Sequence, residues 1–97
     1  MAELRFEWDP RKAAANLAKH GITFQEAQTA FSDEGALLVD DPEAVAGEDR
    51  FVLLGLSAKL RVLVVIHCFR QAEKVIRLIS ARKADRLERQ QYVTRNS

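Results

Sequence analysis

Three β-rich runs follow one another in the second half of the chain with very little between them, and that spacing limits the fold more than any other feature. Arg50 to Ser57, Arg61 to Phe69 and Val75 to Ala84 are joined by Ala58-Lys59-Leu60 and by Arg70-Gln71-Ala72-Glu73-Lys74. A parallel crossover needs about a dozen residues, so connections this short can only return the chain antiparallel. The middle run is unbroken in apolar character from Val62 to Ile66, which predicts a central strand covered on both faces. The third run passes at once into a helix. Asp85 is placed to cap its first turn and Glu88 to reach back, a capping box with Asp in the Ser/Thr place.

The first half supplies the cover. Leu4 to Asp9 alternates apolar and polar residues, as an edge strand does. Asp9-Pro10 is a helix start, with Asp as N-cap and Pro at the first helical position, and Gly21 after His20 is the matching stop. Thr23-Phe24-Gln25-Glu26 reads as a second capping box, with Phe24, Ala27, Ala30 and Phe31 on one helix face. Ala36 to Asp40 is a further strand, and Asp41 to Asp49 an acidic loop that lacks calcium-loop spacing and reads as solvated surface. The expected architecture is α+β, one domain over residues 1–97. An antiparallel sheet of four to five strands carries an N-terminal helical hairpin on one face, and a C-terminal helix meets the other through Leu87, Tyr92 and Val93.

Composition narrows the function classes. Of the 97 residues, 47% are hydrophobic and 30% charged, and no run approaches the ~18 apolar residues of a membrane helix. The opening Met1-Ala2-Glu3-Leu4-Arg5 has no apolar signal region, so a cytoplasmic protein without membrane contact is expected. Cys68 is the single cysteine, which excludes an internal disulfide and a thiolate zinc site. The net charge of +1 hides a split: residues 1–58 hold five Lys/Arg against eleven Asp/Glu, and residues 59–97 hold ten against three. That asymmetry points to an anionic partner for the basic half, or to two halves that pair with each other.

RNA cleavage without a metal needs little equipment: a base for the 2′-OH proton, cations for the charge at phosphorus, and an acid for the departing 5′ oxygen. No cofactor or metal motif is present, whereas two histidines and many arginines are. His67 has the pKa for a base or acid, against a plainer reading as a satisfied sheet histidine. His20 ends a helix, where a cation also suits the dipole. Arg77 and Arg82 project from the third β run and suit a phosphate, although the stem of Arg77 can equally cover core. Strict alternation sets Arg77 and Arg82 on opposite faces, and likewise His67 and Arg70, so a shared cleft requires a bulge or strand ends. Lys19, Arg61, Lys83 and Arg86 are candidates for the RNA backbone. Lys83, Arg86 and Arg89 also read as a solvated face, with Glu88 reaching an arginine.

Spaced motifs carry a family resemblance. Phe6-Glu7-Trp8-Asp9, Lys12, Asn16, Lys19-His20-Gly21-Ile22-Thr23-Phe24, Gly47-Glu48-Asp49-Arg50-Phe51 and Ile76-Arg77-Leu78-Ile79-Ser80-Ala81-Arg82-Lys83-Ala84, with Arg86, Glu88, Arg89 and Tyr92, resemble the BrnT family of bacterial toxins. The family pattern has Glu at the position of Asp49, and often a glycine in the turn that here is Ala58-Lys59-Leu60. The resemblance implies a RelE-like fold and a metal-independent endoribonuclease that blocks translation. It further implies a cognate BrnA-like antitoxin with a DNA-binding domain, through which the complex reaches operator DNA. His20, Arg70, Arg77 and Arg82 match family motif positions. The competing class is a non-catalytic RNA- or protein-binding module, or a relic toxin that keeps only antitoxin binding.

Overall fold

In the computed structural model, which describes residues 4–45, 49–72 and 74–97, the chain runs β1 (Arg5–Glu7), α1 (Pro10–His20), α2 (Phe24–Thr29), a 3-10 turn (Ala30–Ser32), β2 (Leu37–Asp40), β3 (Arg50–Leu56), β4 (Val62–Arg70), β5 (Val75–Lys83) and α3 (Arg86–Arg95). Gly47 and Glu48 of the acidic loop, and Glu73 of the last turn, lie outside the described residues. The five strands form one sheet in the order β1-β5-β4-β3-β2. β2, β3, β4 and β5 pair antiparallel, as the short connections require, with β4 central. β1 pairs with β5 in parallel, so the sheet is mixed rather than wholly antiparallel. No hairpin joins those two strands, and every other element except α3 lies between them in sequence, so turn length places no limit on their direction.

One face of the sheet carries the main core. Leu53, Leu63, Val65, Ile76, Leu78 and Ala81 meet Ile22, Phe24, Ala27 and Ala30 from the helical segment. Trp8 packs edge-on against Phe24 with ring centroids 5.8 Å apart, and Phe6 against Phe31 at 5.2 Å. Burying a side chain such as Phe24 contributes about 1.5–3 kcal/mol. Gly55 lets the 3-10 turn lie on β3: a Cβ there would stand 3.0 Å from the Ala30 carbonyl oxygen and 3.2 Å from Ala36 Cβ.

The helix starts match their capping signals, with one correction. Asp9 caps α1 with its carboxylate 2.8 Å from Arg11 N, and Asp85 and Glu88 close both halves of their box. Thr23 Oγ1 accepts from Glu26 N at 3.0 Å, but the Glu26 carboxylate turns away to Ser57 and Arg61. Half a capping box results, because a charge-assisted pair outweighs a neutral backbone donor. The Ala58-Lys59-Leu60 turn closes without glycine by placing Leu60 at φ 61°.

The other face is largely uncovered. Leu54, Val64 and Ala84 are buried there, with Leu37, Val52, Val62 and Tyr92 against them. Of the three α3 residues expected to pack, only Tyr92 does so; Leu87 and Val93 are 70% and 62% exposed. The reason is where α3 is fastened. Tyr92 Oη donates to Asp33 at 2.6 Å and Asn96 Nδ2 to the Gly35 carbonyl at 3.0 Å, which ties the helix to the loop before β2 and leaves Val52, Ile66, Cys68 and Ser80 only half-buried. No helix is long and apolar enough to cross a membrane among the described residues.

Candidate active site

A bulge in β5 decides which side chains meet on the bare face. His67 lies opposite Leu78, but Ile66 lies opposite Ser80, so Ile79 is an extra residue. Residues directly opposite each other share a face. Before the bulge, Arg77 opposes Cys68, and Cys68 opposes Arg50; after it, Arg82 opposes Val64, and Val64 opposes Leu54. The extra residue cancels the odd spacing between Arg77 and Arg82 and brings both onto the uncovered face. Arg70, the last residue of β4, has the parity of Cys68 and Val64 and belongs to the same face.

A cleft of about 940 Å³ opens there. Leu37, Val52, Leu54, Val64 and Ile66 give it an apolar floor, Asp41, Glu43 and Arg50 flank one side, and His20, Ser80, Arg82, Glu88 and Gln91 the other. Of these residues the sequence singles out His20 and Arg82 as chemical candidates. It does not signal the place of Ser80, nor that of the Asp41–Arg50 pair, whose side chains lie 3.1 Å apart.

His20 reaches the cleft because of how α1 meets β5. β1 pairs only with Val75, Ile76 and Arg77, which leaves the β5 edge open beyond. Asn16 closes it: its Oδ1 accepts from Ala81 N at 2.9 Å and its Nδ2 donates to the Ala81 carbonyl at 2.8 Å and to the Ile22 carbonyl at 2.9 Å. A side-chain amide thus takes the place of a neighbouring strand. The last turn of α1 is thereby held against the edge, so that His20 lines the same cleft as Ser80 and Arg82, with exposed Lys19 preceding it in the chain.

The remaining candidates are placed elsewhere. His67 faces the core, fully buried, with Phe31 and Phe69 edge-on at 4.8 and 5.3 Å. Its Nδ1 lies 3.1 Å from the Val65 carbonyl, and Nε2 finds no partner among the described residues. Burial holds its pKa below the usual histidine value, with the Val65 bond opposing in part. Arg77 donates through Nη1 to Glu7 Oε2 at 2.5 Å and does not line the cleft. Arg61 is engaged by Glu26, whose pKa that hydrogen bond lowers. Lys83 opposes Leu63 and so points to the helix side, and Arg86 is exposed on α3. Tyr92 is pushed up to about 12 by its bond to Asp33, which removes it as a base near neutral pH.

The family model for the ribonuclease toxin BrnT of type II toxin–antitoxin systems matches residues 8–88. The chain belongs to the BrnT family. Among solved structures, the ribonuclease toxin BrnT of Brucella abortus, a crystal structure at 1.1 Å, matches with TM-score 0.67 and 23% identity over 87% of this chain and 100% of that one. That likeness concerns the fold: mixed α and β, with a five-stranded sheet and three helices. No curated protein matches. Of the positions shared with the BrnT pattern, Asn16 and Glu88 turn out to be fasteners, and His20 and Arg82 line the cleft that those fasteners shape.

Proposed function

We propose that this BrnT family member is a metal-independent endoribonuclease with a RelE-like arrangement, that it cuts RNA in the cleft on the uncovered sheet face, and that it thereby blocks translation in the cytoplasm. A BrnA-like antitoxin holds it silent and carries the complex to operator DNA through its own DNA-binding domain. The observation that carries this reading is that His20 and Arg82 line one and the same cleft. His20 takes the 2′-OH proton, the oxygen attacks the adjacent phosphorus, and the 5′ oxygen leaves with a proton supplied by water in the open cleft, giving a 2′,3′-cyclic phosphate and a 5′-OH. Arg82 stabilises the charge gathered at phosphorus, which a permanently protonated guanidinium can do and a general base cannot.

Arg77 serves a neighbouring phosphate. Five residues of strand put its Cα roughly 15 Å from that of Arg82, too far for both to hold one group. Arg70 and Lys19 extend the same track. Buried His67 takes no part. The test is cleavage of RNA by purified wild type, His20→Ala and Arg82→Ala in the presence of a chelator, alongside growth of cells expressing each. Expected are a loss on the order of 100-fold or more in rate for Arg82→Ala, and arrest of growth by the wild type that co-expressed antitoxin reverses. RNA bound but left intact by the wild type under every condition would instead identify a binding module or relic.

A further inference from the structure

Arg82 is held by one edge. Nη1 donates to Glu88 Oε1 at 2.7 Å, Nη2 to Glu88 Oε2 at 2.8 Å, and Nη1 also to the Lys83 carbonyl at 3.2 Å. The carboxylate therefore occupies the outer edge of the guanidinium, formed by the two Nη atoms. A guanidinium carries five N–H groups in a fixed planar fork. What the clamp leaves over is the side edge, Nε–H with the second Nη2–H, and neither has a protein acceptor among the described residues. Two parallel N–H groups on a planar cation match two oxygens of a phosphate.

Glu88 is itself fixed. Its Oε1 accepts from Asp85 N at 2.8 Å while its own N donates to Asp85 Oδ1 at 2.8 Å, so the clamp is built on the first turn of α3. Arg77 differs: Glu7 touches it through a single nitrogen, and both side chains are about a third exposed. One arginine on this face is locked in plane and direction, and the other is held at a single point.

We infer that Glu88 is a positioning residue for RNA cleavage, which fixes the outer edge of Arg82 so that its side edge meets the scissile phosphate without searching. This deepens the reading of Arg82 as the phosphate ligand and rests on it. Preorganisation of that kind acts on the transition state more than on substrate binding.

The experiment measures kcat and KM for RNA cleavage, and Tm, for Arg82→Ala, Glu88→Gln and the double variant. Glu88→Gln keeps the side-chain length and an oxygen for Asp85 N, so the cap survives, but it sets an NH2 group against the guanidinium in place of one acceptor. The expected result is an unchanged Tm, little change in KM and a kcat lower by roughly 10- to 100-fold, the scale of a misplaced group. Glu88→Gln should cost nothing further once Arg82 is Ala. Guanidinium ion at non-denaturing concentration should restore part of the rate to Arg82→Ala but not to the double variant, which lacks the seat. Wild-type kcat in Glu88→Gln beside a slow Arg82→Ala, or an equal loss from Glu88→Gln in both backgrounds, overturns the clamp alone. Wild-type rates in Arg82→Ala overturn the phosphate reading and the clamp with it.

Discussion

The side-chain amide of Asn16 satisfies both backbone groups of Ala81, sixty-five residues away in sequence, at 2.8 and 2.9 Å. Both residues are buried, at 6% and 0% exposure, so water cannot substitute. The edge of β5 is thereby closed where β1 stops.

Asn16→Ala is expected to destabilise the protein by about 3 kcal/mol or more, since it leaves the Ala81 N–H and carbonyl and the Ile22 carbonyl without partners at about 1–3 kcal/mol for each buried group. Urea unfolding checks it. Asn16→Asp should be no better, because a carboxylate cannot donate to the two carbonyls. Stability of either variant close to that of the wild type would mean that the amide contributes little.

His67 makes stability depend on pH in a defined direction. Its folded-state pKa lies below the unfolded value of about 6.5, because burial disfavours the charged ring. Below that pH the unfolded chain binds more protons than the folded one. The stability associated with neutral His67 is therefore complete above about 6.5 and is lost as the pH falls through and below it. Unfolding of His67→Leu should show a smaller decline between neutral pH and pH 5, and this variant should still cut RNA, in contrast to His20→Ala.

The Tyr92–Asp33 bond fastens α3. Tyr92→Phe should cost on the order of 1 kcal/mol at neutral pH. Burial alone would raise the Asp33 pKa, but the tyrosine hydroxyl with the Leu56 and Gly35 N–H groups reverses that. Removing the hydroxyl should thus move the acid unfolding of the protein toward higher pH. At the alkaline end the folded Tyr92 pKa of about 12 exceeds the ordinary value of 10.0, so the wild type should lose this contribution as pH rises through that interval and Tyr92→Phe should not.

Leu60, at φ 61° and 80% exposed, occupies a left-handed conformation with little packing to lose. The conformation costs about 1–2 kcal/mol for a side chain with a Cβ, against roughly 0.5–1 kcal/mol of extra chain entropy for glycine. Leu60→Gly should stabilise by a few tenths to about 1 kcal/mol in thermal or urea unfolding. A destabilised variant would show that the strain is relieved some other way.

Turn lengths and apolar runs make the β3-β4-β5 meander legible in the amino-acid sequence, because a three- to five-residue link leaves one pairing available. Caps at Asp9 and Asp85 are legible for the same local reason. The parallel docking of β1 is not, since nothing near Leu4 to Asp9 in sequence sets its direction. The fate of Glu26 depends on Arg61, thirty-five residues on, and a capping pattern says nothing about a distant competitor. Strict alternation puts Arg77 and Arg82 on opposite faces, and the extra residue that reunites them lies in an ordinary Val/Ile-rich run with no glycine to announce it. His20 and Arg82 can be singled out by residue type and resemblance, but their place in one cleft depends on Asn16.

The irregularity at Ile79 turns the arginine pair into a matter of phase. Were Ile79 instead taken into regular pairing opposite Ile66, no charge, acid or base would be lost, yet every later residue of the strand would slip by one and turn to the other face. Arg82 would then oppose Leu63 under the helices and Ala81 would oppose Val64 above the cleft, and a chain that kept every residue named in the chemistry would have lost the arrangement through a counting error of one.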